Sequence, residues 1–241
     1  MKIALAFFGI TRSLKYTIES IKNNVLGVLR DHGIEYDIFM HTYIVHNYIN
    51  IRSREMNLHV DNEEYKLLNA DYIEIDDQAE TKRKINMSLY RSYPDPWFTL
   101  YNTVDNFILG QYSKSRVVYM IDKTNINYDY IIYLRPDCSY VDKFDINFLK
   151  AINDNTICIP NFHNYGKYKF NDRFCIANMK TYKIYGGIFK YLLSISRQQS
   201  LHSETVIGQI IDAHNIKTIR IPFRFSRIRC DGRDHDKFKP R

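Results

Sequence analysis

The residues best placed to do chemistry lie in the run DYIIYLRPDCSY, Asp129 to Tyr140, where an apolar strand-like stretch meets Arg135-Pro136-Asp137. Proline has no backbone donor and stops strand pairing, so Asp137 is expected to leave the ladder at the strand's carboxyl end. In open α/β sheets ligands bind in that crevice, on loops held by a rigid sheet. The same residues would also satisfy a plain Pro-Asp turn. A second candidate is Gly9-Ile10-Thr11-Arg12-Ser13, between the first apolar run and a helix start. Free backbone N–H groups and the helix dipole favour an anion there, and Arg12 adds a fixed cation. Neither G-x-G-x-x-G nor the P-loop pattern occurs, which excludes both of those nucleotide sites. Arg227 and Arg229 are two apart, so on a strand both guanidinium groups point to one face.

The elements that must position these residues read as strand, helix, strand. KIALAFF (residues 2–8) is a continuous apolar run, as expected of a strand buried on both faces, broken by Gly9. Leu14, Ile18, Ile21, Val25 and Leu29 follow at helical spacing, with Thr11 or Ser13 as N-cap and Gly33 as stop. YDIFMH (36–41) and ADYIEI (70–75) are further strands, and residues 97–122 form one or two helices before the strand at Asp129. Strands at 156–160, 173–177, 218–222 and 225–229 and helices at 181–195 and 204–214 complete the second half. This alternation predicts an α/β fold with a mainly parallel central sheet flanked by helices. It forms one domain over 1–241, with a nucleotide half at about 1–140 and a mixed acceptor half at about 141–241.

A chain of 241 residues, 45% hydrophobic, buries a substantial core, and nine Gly, six Pro and no repeat exclude a solenoid or a linker-rich protein. The net charge of +7 points to an anionic partner. From Lys217 onward nine basic residues face only Asp231, Asp234 and Asp236, a surplus of six charges. Such a tail suits a nucleotide diphosphate, a phosphorylated acceptor, nucleic acid or peripheral contact with an acidic membrane surface, or is a solvated strand pair. Cys138, Cys158, Cys175 and Cys230 are widely spaced without a C-x-x-C pair and read as reduced core thiols. The N-terminal apolar run lacks a cleavage site and no window of about 20 apolar residues exists, so a cytoplasmic protein without a transmembrane segment is expected.

Taken in order, FFGITRS, DIFMHTY, GQYSKSR, YDYIIYLRPDCSY, NDRFCIAN, HSE and IPFRFSRIRCDG resemble the nucleotide-sugar glycosyltransferases of the GT-A type, over most of the chain from about Ile3 to Gly232. The resemblance implies transfer of a sugar from a nucleotide-diphosphate donor, UDP-linked by preference, to a glycan or glycolipid. Members hold a divalent metal with D-x-D, whereas this chain reads R-P-D, matching only the last acid at Asp137. One carboxylate plus phosphates and waters suffices for Mn²⁺ or Mg²⁺; alternatively Arg135 neutralises the diphosphate directly. The resemblance places Gly9, Thr11, Arg12, Gln111, Ser113, Arg116, Arg135, Asn171, Arg227 and Arg229 at the donor, with Tyr112 packing. Asp76 and Asp77 would bind ribose or base, or serve a turn.

Glu204 falls where inverting members place a base that takes the acceptor's hydroxyl proton, and Asp172 is the second candidate. In a retaining enzyme Glu204 would bind sugar instead. Capping alone also selects Ser203 as N-cap and Glu204 in the first turn. His235 is a late metal ligand or a tail residue. The abundance of Asn, Ile, Lys and Tyr suits an AT-rich genome such as a large DNA virus's. A different class, a basic domain that stacks single-stranded nucleic acid on some of its 20 Tyr, lacks an RNP-like or OB-like pattern.

Overall fold

A computed structural model describes residues 1–238; Lys239 and Arg241 of the basic tail lie outside the described residues. Strand β1 (Lys2–Phe8) is buried on both faces, as its unbroken apolar run requires. Ala4, Ala6 and Phe8 enter one core, and Ile3, Leu5 and Phe7 the other. Each fully buried large side chain of this kind contributes about 1.5–3 kcal/mol. Gly9 (φ +97°) makes the turn that only glycine adopts cheaply. Helix α1 (Leu14–Ile21) then runs through a wide turn at Lys22–Leu26 into α2 (Gly27–Asp31), burying Leu14, Ile18, Ile21, Val25 and Leu29. Ser13 does not cap it through its side chain: the hydroxyl donates to the Ile228 carbonyl (3.0 Å) and ties the helix start to the chain's end.

Next come β2 (Glu35–Ile44), the hairpin β3 (Tyr48–Asn50) and β4 (Glu55–Leu58), then β5 (Tyr72–Asp77) and α3 (Gln78–Ile85). Asp77 caps α3, accepting from Glu80 N at 2.8 Å. Helix α4 (Asn102–Thr124) is single and starts at Asn102, because Phe98, Leu100 and Tyr101 have left-handed backbone (φ 54°, 54° and 63°) that a helix cannot include. Strands β6 (Tyr130–Leu134) and β7 (Cys138–Tyr140) flank Arg135-Pro136-Asp137, followed by α5 (Asn147–Lys150), β8 (Thr156–Pro160) and β9 (Cys175–Ala177). The helix expected over 181–195 is split by Gly186-Gly187 into α6 (Tyr182–Gly186) and α7 (Phe189–Ser196). Helix α8 (Ser203–Ala213), β10 (Lys217–Ile221) and β11 (Phe225–Arg227) end the described chain.

The seven-stranded sheet has the order β10-β8-β9-β6-β1-β2-β5, with α4 packed over β1 and β2 on one face and α1 on the other. Every pairing is parallel except the two made by β9. The chain leaves β1 toward β2 and later returns to β6 on β1's other side, so the order reverses between β1 and β6. That crevice holds both the Gly9–Ser13 turn and Arg135–Asp137. Because β9 runs against its neighbours, the residues just before it reach the same end. All four cysteines are free thiols, three of them buried. Among the described residues no helix is long and apolar enough to cross a membrane.

Candidate active site

A cavity of about 330 Å³ opens at this end of the sheet. At its base Asp137, 2% exposed, accepts from Arg135 through Nε (2.8 Å) and Nη2 (2.6 Å) and from Arg12 Nη2 (3.0 Å). Burial opposes the charge, but Arg135, Arg12 and Arg229 together hold this carboxyl well below the usual carboxylate range. Thr17 Oγ1 donates to the Pro136 carbonyl (2.5 Å) and Ile228 N to that of Asp137 (2.8 Å), which fixes the turn. Behind Arg12 stands Glu55, 1% exposed, 4.0 Å from Arg12 Nη1 and 3.6 Å from Arg229 Nη1. Burial, then Arg12 and Arg227, push the Arg229 guanidinium down to about 10.

Of the residues expected at the site, Gly9, Arg12, Gln111, Arg135, Asp137, Asp172, Glu204, Arg227, Arg229 and His235 line this one cavity. Thr11, Ser113, Arg116 and Asn171 do not. Ser113 Oγ accepts from Gly9 N (2.8 Å) and donates to the His41 carbonyl (3.0 Å), a strut between β1, β2 and α4 that also uses up the Gly9 N–H. Arg116 pairs with Glu74 through Nε (2.7 Å). Asn171 holds its own loop, donating to the Phe162 carbonyl (2.9 Å) and accepting from Arg173 N (3.0 Å). Thr11 is buried, and its carbonyl accepts from Leu14 N (3.0 Å).

Also lining the cavity, Arg173 Nη2 lies 3.8 Å from Glu204 Oε1, and Arg173 Nε 3.7 Å from Asp172 Oδ1. Burial raises and Arg173, Arg135 and Lys114 lower the Asp172 carboxyl, with a net lowering. The N-cap of α8 is His202, whose Nδ1 accepts from Thr205 N, and Ser203 instead donates to Glu204. Trp97 stacks on His202 with ring centres 5.2 Å apart. Several buried polar atoms around this space have no hydrogen-bond partner in the protein, namely Arg12 Nε, Gln111 Oε1, Asp172 Oδ1 and Arg173 Nη1. Native interiors rarely tolerate such groups, so a polar ligand is their natural partner.

Lys114 shares this environment: fully buried, it has no hydrogen-bond partner and lies 4.0 Å from the Tyr185 ring centre. Burial pushes its amine down to about 7. The unfolded lysine titrates near 10.4, so between the two values the unfolded chain binds more protons and the wild type gains stability as pH rises. Lys114→Met is expected to be the more stable protein at neutral pH, with an advantage that shrinks toward about pH 10. Urea midpoints of both proteins across pH 6.5–9.5, about the window of that titration, check this.

The donor set at Asp137 does not fit a divalent cation, because both oxygens are taken by guanidinium groups and the surrounding charge is positive. A different group, His41, Glu74 and Asp76, places three ligand atoms within 4.8 Å of one another. An imidazole and two carboxylates suit a divalent metal. Neither His41 nor its two partners line the cavity; Asp76 receives Tyr112 Oη (3.1 Å) and sits 3.2 Å from His41 Nε2.

Part of the basic tail is paired, while Lys217, Arg220, Arg233 and Lys237 stay exposed. Arg224 pairs with Asp142, Arg227 with Asp236 (2.9 Å), Arg229 with Glu55, and Arg233 with Asp231. His235 is bound by Arg227 Nη2 (2.9 Å), so the described tail folds back onto the cavity rim. Eight tyrosines, among them Tyr133, Tyr140 and Tyr185, are core residues and unavailable for base stacking.

No protein-family profile and no curated sequence matches the chain. Solved structures to which it is similar include glycosyltransferases. One is a glycosyltransferase involved in glycosylation of the major capsid of the virus PBCV-1, at 10% identity over 79% of this chain and 66% of that one, TM-score 0.38. Mouse xyloside xylosyltransferase 1 shares 15% identity over 92% of this chain and 85% of its own, TM-score 0.44. The galactosyltransferase LgtC, solved with donor and acceptor sugar analogs, shares 11% over 87% and 70%, TM-score 0.43. The chain therefore spans slightly less than two thirds of the viral enzyme. At these scores the function rests on the site itself.

Proposed function

We propose that this chain is a glycosyltransferase that moves a sugar from a nucleotide-diphosphate donor to a hydroxyl of a glycan or glycolipid. The observation that carries the reading is the cavity, lined by buried guanidinium groups, by Asp172 and Glu204, and by buried polar atoms without a partner in the protein. A diphosphate complements the guanidinium groups, since charge-assisted hydrogen bonds to phosphate are strong and guanidinium geometry matches it. Sugar hydroxyls complement Gln111, Asp172 and Arg173.

Catalysis would follow from the same charges. Glu204 takes the proton from the acceptor hydroxyl as that oxygen attacks the anomeric carbon. The bond from that carbon to the diphosphate breaks, and its electron pair leaves on the phosphate oxygen. Arg12, Arg227 and Arg229 stabilise that growing charge, the largest contribution expected here. This is the inverting arrangement, in which the carboxylate acts as base rather than nucleophile. Mn²⁺ or Mg²⁺ was the expected partner of Asp137; because the carboxylate is already clamped, the guanidinium groups take that duty in this reading.

A mass-spectrometric screen of UDP-, GDP- and CDP-sugars tests the proposal, following release or transfer of the sugar with EDTA or Mn²⁺ present. Turnover of one donor in EDTA is the expected result. Turnover only with Mn²⁺ would move the phosphate charge back onto a metal, and no turnover of any donor would remove the assignment. A UDP-sugar is the first donor to try.

A further inference from the structure

The loop Tyr93–Tyr101 spends its hydrogen bonds on displaying two apolar side chains. Phe98 is 93% exposed and Leu100 86%, the most exposed large hydrophobic residues among those described. Between them Thr99 is buried, and Asp95 beneath the loop is 9% exposed. The Asp95 carboxylate accepts from Trp97 N (3.0 Å), Thr99 N (2.5 Å), Thr99 Oγ1 (2.9 Å) and Tyr101 N (3.0 Å). Burial raises that carboxyl, but these bonds outweigh it and hold the group below its ordinary range. Thr99 Oγ1 also accepts from Thr103 N (3.0 Å), which locks the loop to the first turn of α4.

This lock holds a conformation that the residues themselves disfavour. Phe98, Leu100 and Tyr101 all have positive φ, a region costly for bulky side chains. Water does not reward exposure of Phe98 and Leu100 either. A strained backbone, pinned by a buried carboxylate so that hydrophobic groups point outward, indicates an apolar partner outside the chain.

We infer that Phe98 and Leu100 are an anchor that inserts into the interface of a phospholipid membrane. Isolated projecting side chains enter the headgroup and acyl boundary without a shape-matched hole, whereas a stable protein interface needs a broad complementary patch. The surroundings fit the same partner. Tyr93 is 41% exposed beside the tip, while Trp97 and Tyr101, which flank it in sequence, are half-buried against the core and root the loop, with amphipathic aromatics of the kind found at membrane surfaces. Cations stand among them: Arg91 lies 5.1 Å from the Tyr101 ring centre and Arg52 5.5 Å from that of Trp97. Asp105, the acid beside Arg91, is largely covered, so the exposed charge is positive and suits anionic headgroups.

Trp97, the residue before Phe98, also lines the cavity, so the anchor stands next to it. Insertion would turn the opening toward the bilayer, where a lipid-linked sugar acceptor presents its head. The membrane contact itself does not depend on the proposed chemistry. It also differs from contact through the C-terminal tail, since it rests on the Tyr93–Tyr101 loop.

The test is co-sedimentation of the full chain with phosphatidylcholine–phosphatidylglycerol vesicles, comparing wild type with Phe98→Ser/Leu100→Ser. Each large apolar side chain withdrawn from water is worth roughly tenfold in partitioning, so the double variant is expected to bind about a hundredfold more weakly. Its melting temperature should be unchanged, because both side chains are exposed, and high salt should weaken wild-type binding without abolishing it. Wild type remaining in the supernatant, or a double variant that sediments like wild type, overturns the inference. A wild-type dimer that the double variant converts to monomer overturns it too, by making the tip a self-association surface.

Discussion

Asp137→Ala is expected to destabilise the protein by about 3–5 kcal/mol, the range for removing one partner of a buried ion pair. The loss exceeds that of one hydrogen bond because Arg12, Arg135 and Arg229 then face one another with only Glu55 to offset them. Asp137→Asn keeps the shape and separates charge from volume: it should retain part of the packing but little of the electrostatic stabilisation. The pH dependence follows from the depressed folded-state value. Unfolded, the carboxyl titrates near 3.9; folded, it stays ionised well below that. Its contribution is therefore fully present above about pH 5 and lost progressively as pH falls through the folded value. Urea unfolding of wild type and Asp137→Asn at pH 7 and pH 3.5, on either side of that unfolded value, should show a gap that narrows in acid. A gap independent of pH would mean that shape rather than charge holds the turn.

Glu204→Gln is expected to lower transfer by about 10²–10⁴-fold while leaving donor affinity within a few-fold of wild type. The amide preserves the volume at α8's first turn and can still accept from Ser203, so the fold keeps its local contacts. What it cannot do is take a proton. Arg12, Arg227 and Arg229, which would hold the diphosphate, pair with Asp137, Asp236 and Glu55 and not with Glu204, which is why binding and chemistry should part company. Single-turnover transfer and equilibrium titration of the donor measure the two effects apart. An equal loss of both would make Glu204 a sugar-binding residue and leave Asp172 as the candidate base.

The sheet was legible because its central strands are rich in apolar residues, and β1, β2 and β6 fall where KIALAFF, YDIFMH and the Asp129 run predict them. Boundaries failed where backbone strain decided them. The start of α4 is set by left-handed residues that periodicity does not reveal, and α6 and α7 part at a glycine pair. At the site, strand-end residues were found because Pro136 and Gly9 mark ends. Ser113, Arg116 and Asn171 look like ligand-binding residues in sequence, yet hydrogen bonds to neighbouring elements engage them. Glu55 went unnoticed: it lies in a polar stretch without periodicity, and only tertiary folding carries its hairpin behind Arg12. Arg173 stood beside Asp172 in NDRF and was the one missed wall residue with a visible signal. Lys114 sits at a helical position where burial of a lysine is unforeseeable from pattern.

The measurement that bears most directly on the central claim is calorimetric titration of uridine, UMP and UDP into the wild-type protein and Arg229→Gln, in EDTA. If the guanidinium lining is a diphosphate site, UDP binds far more tightly than UMP, uridine binds weakly or not at all, and Arg229→Gln loses most of the difference. If uridine and UDP bind alike, or the variant keeps the full preference for UDP, the lining does not read phosphate and the proposed chemistry has no place at this cavity.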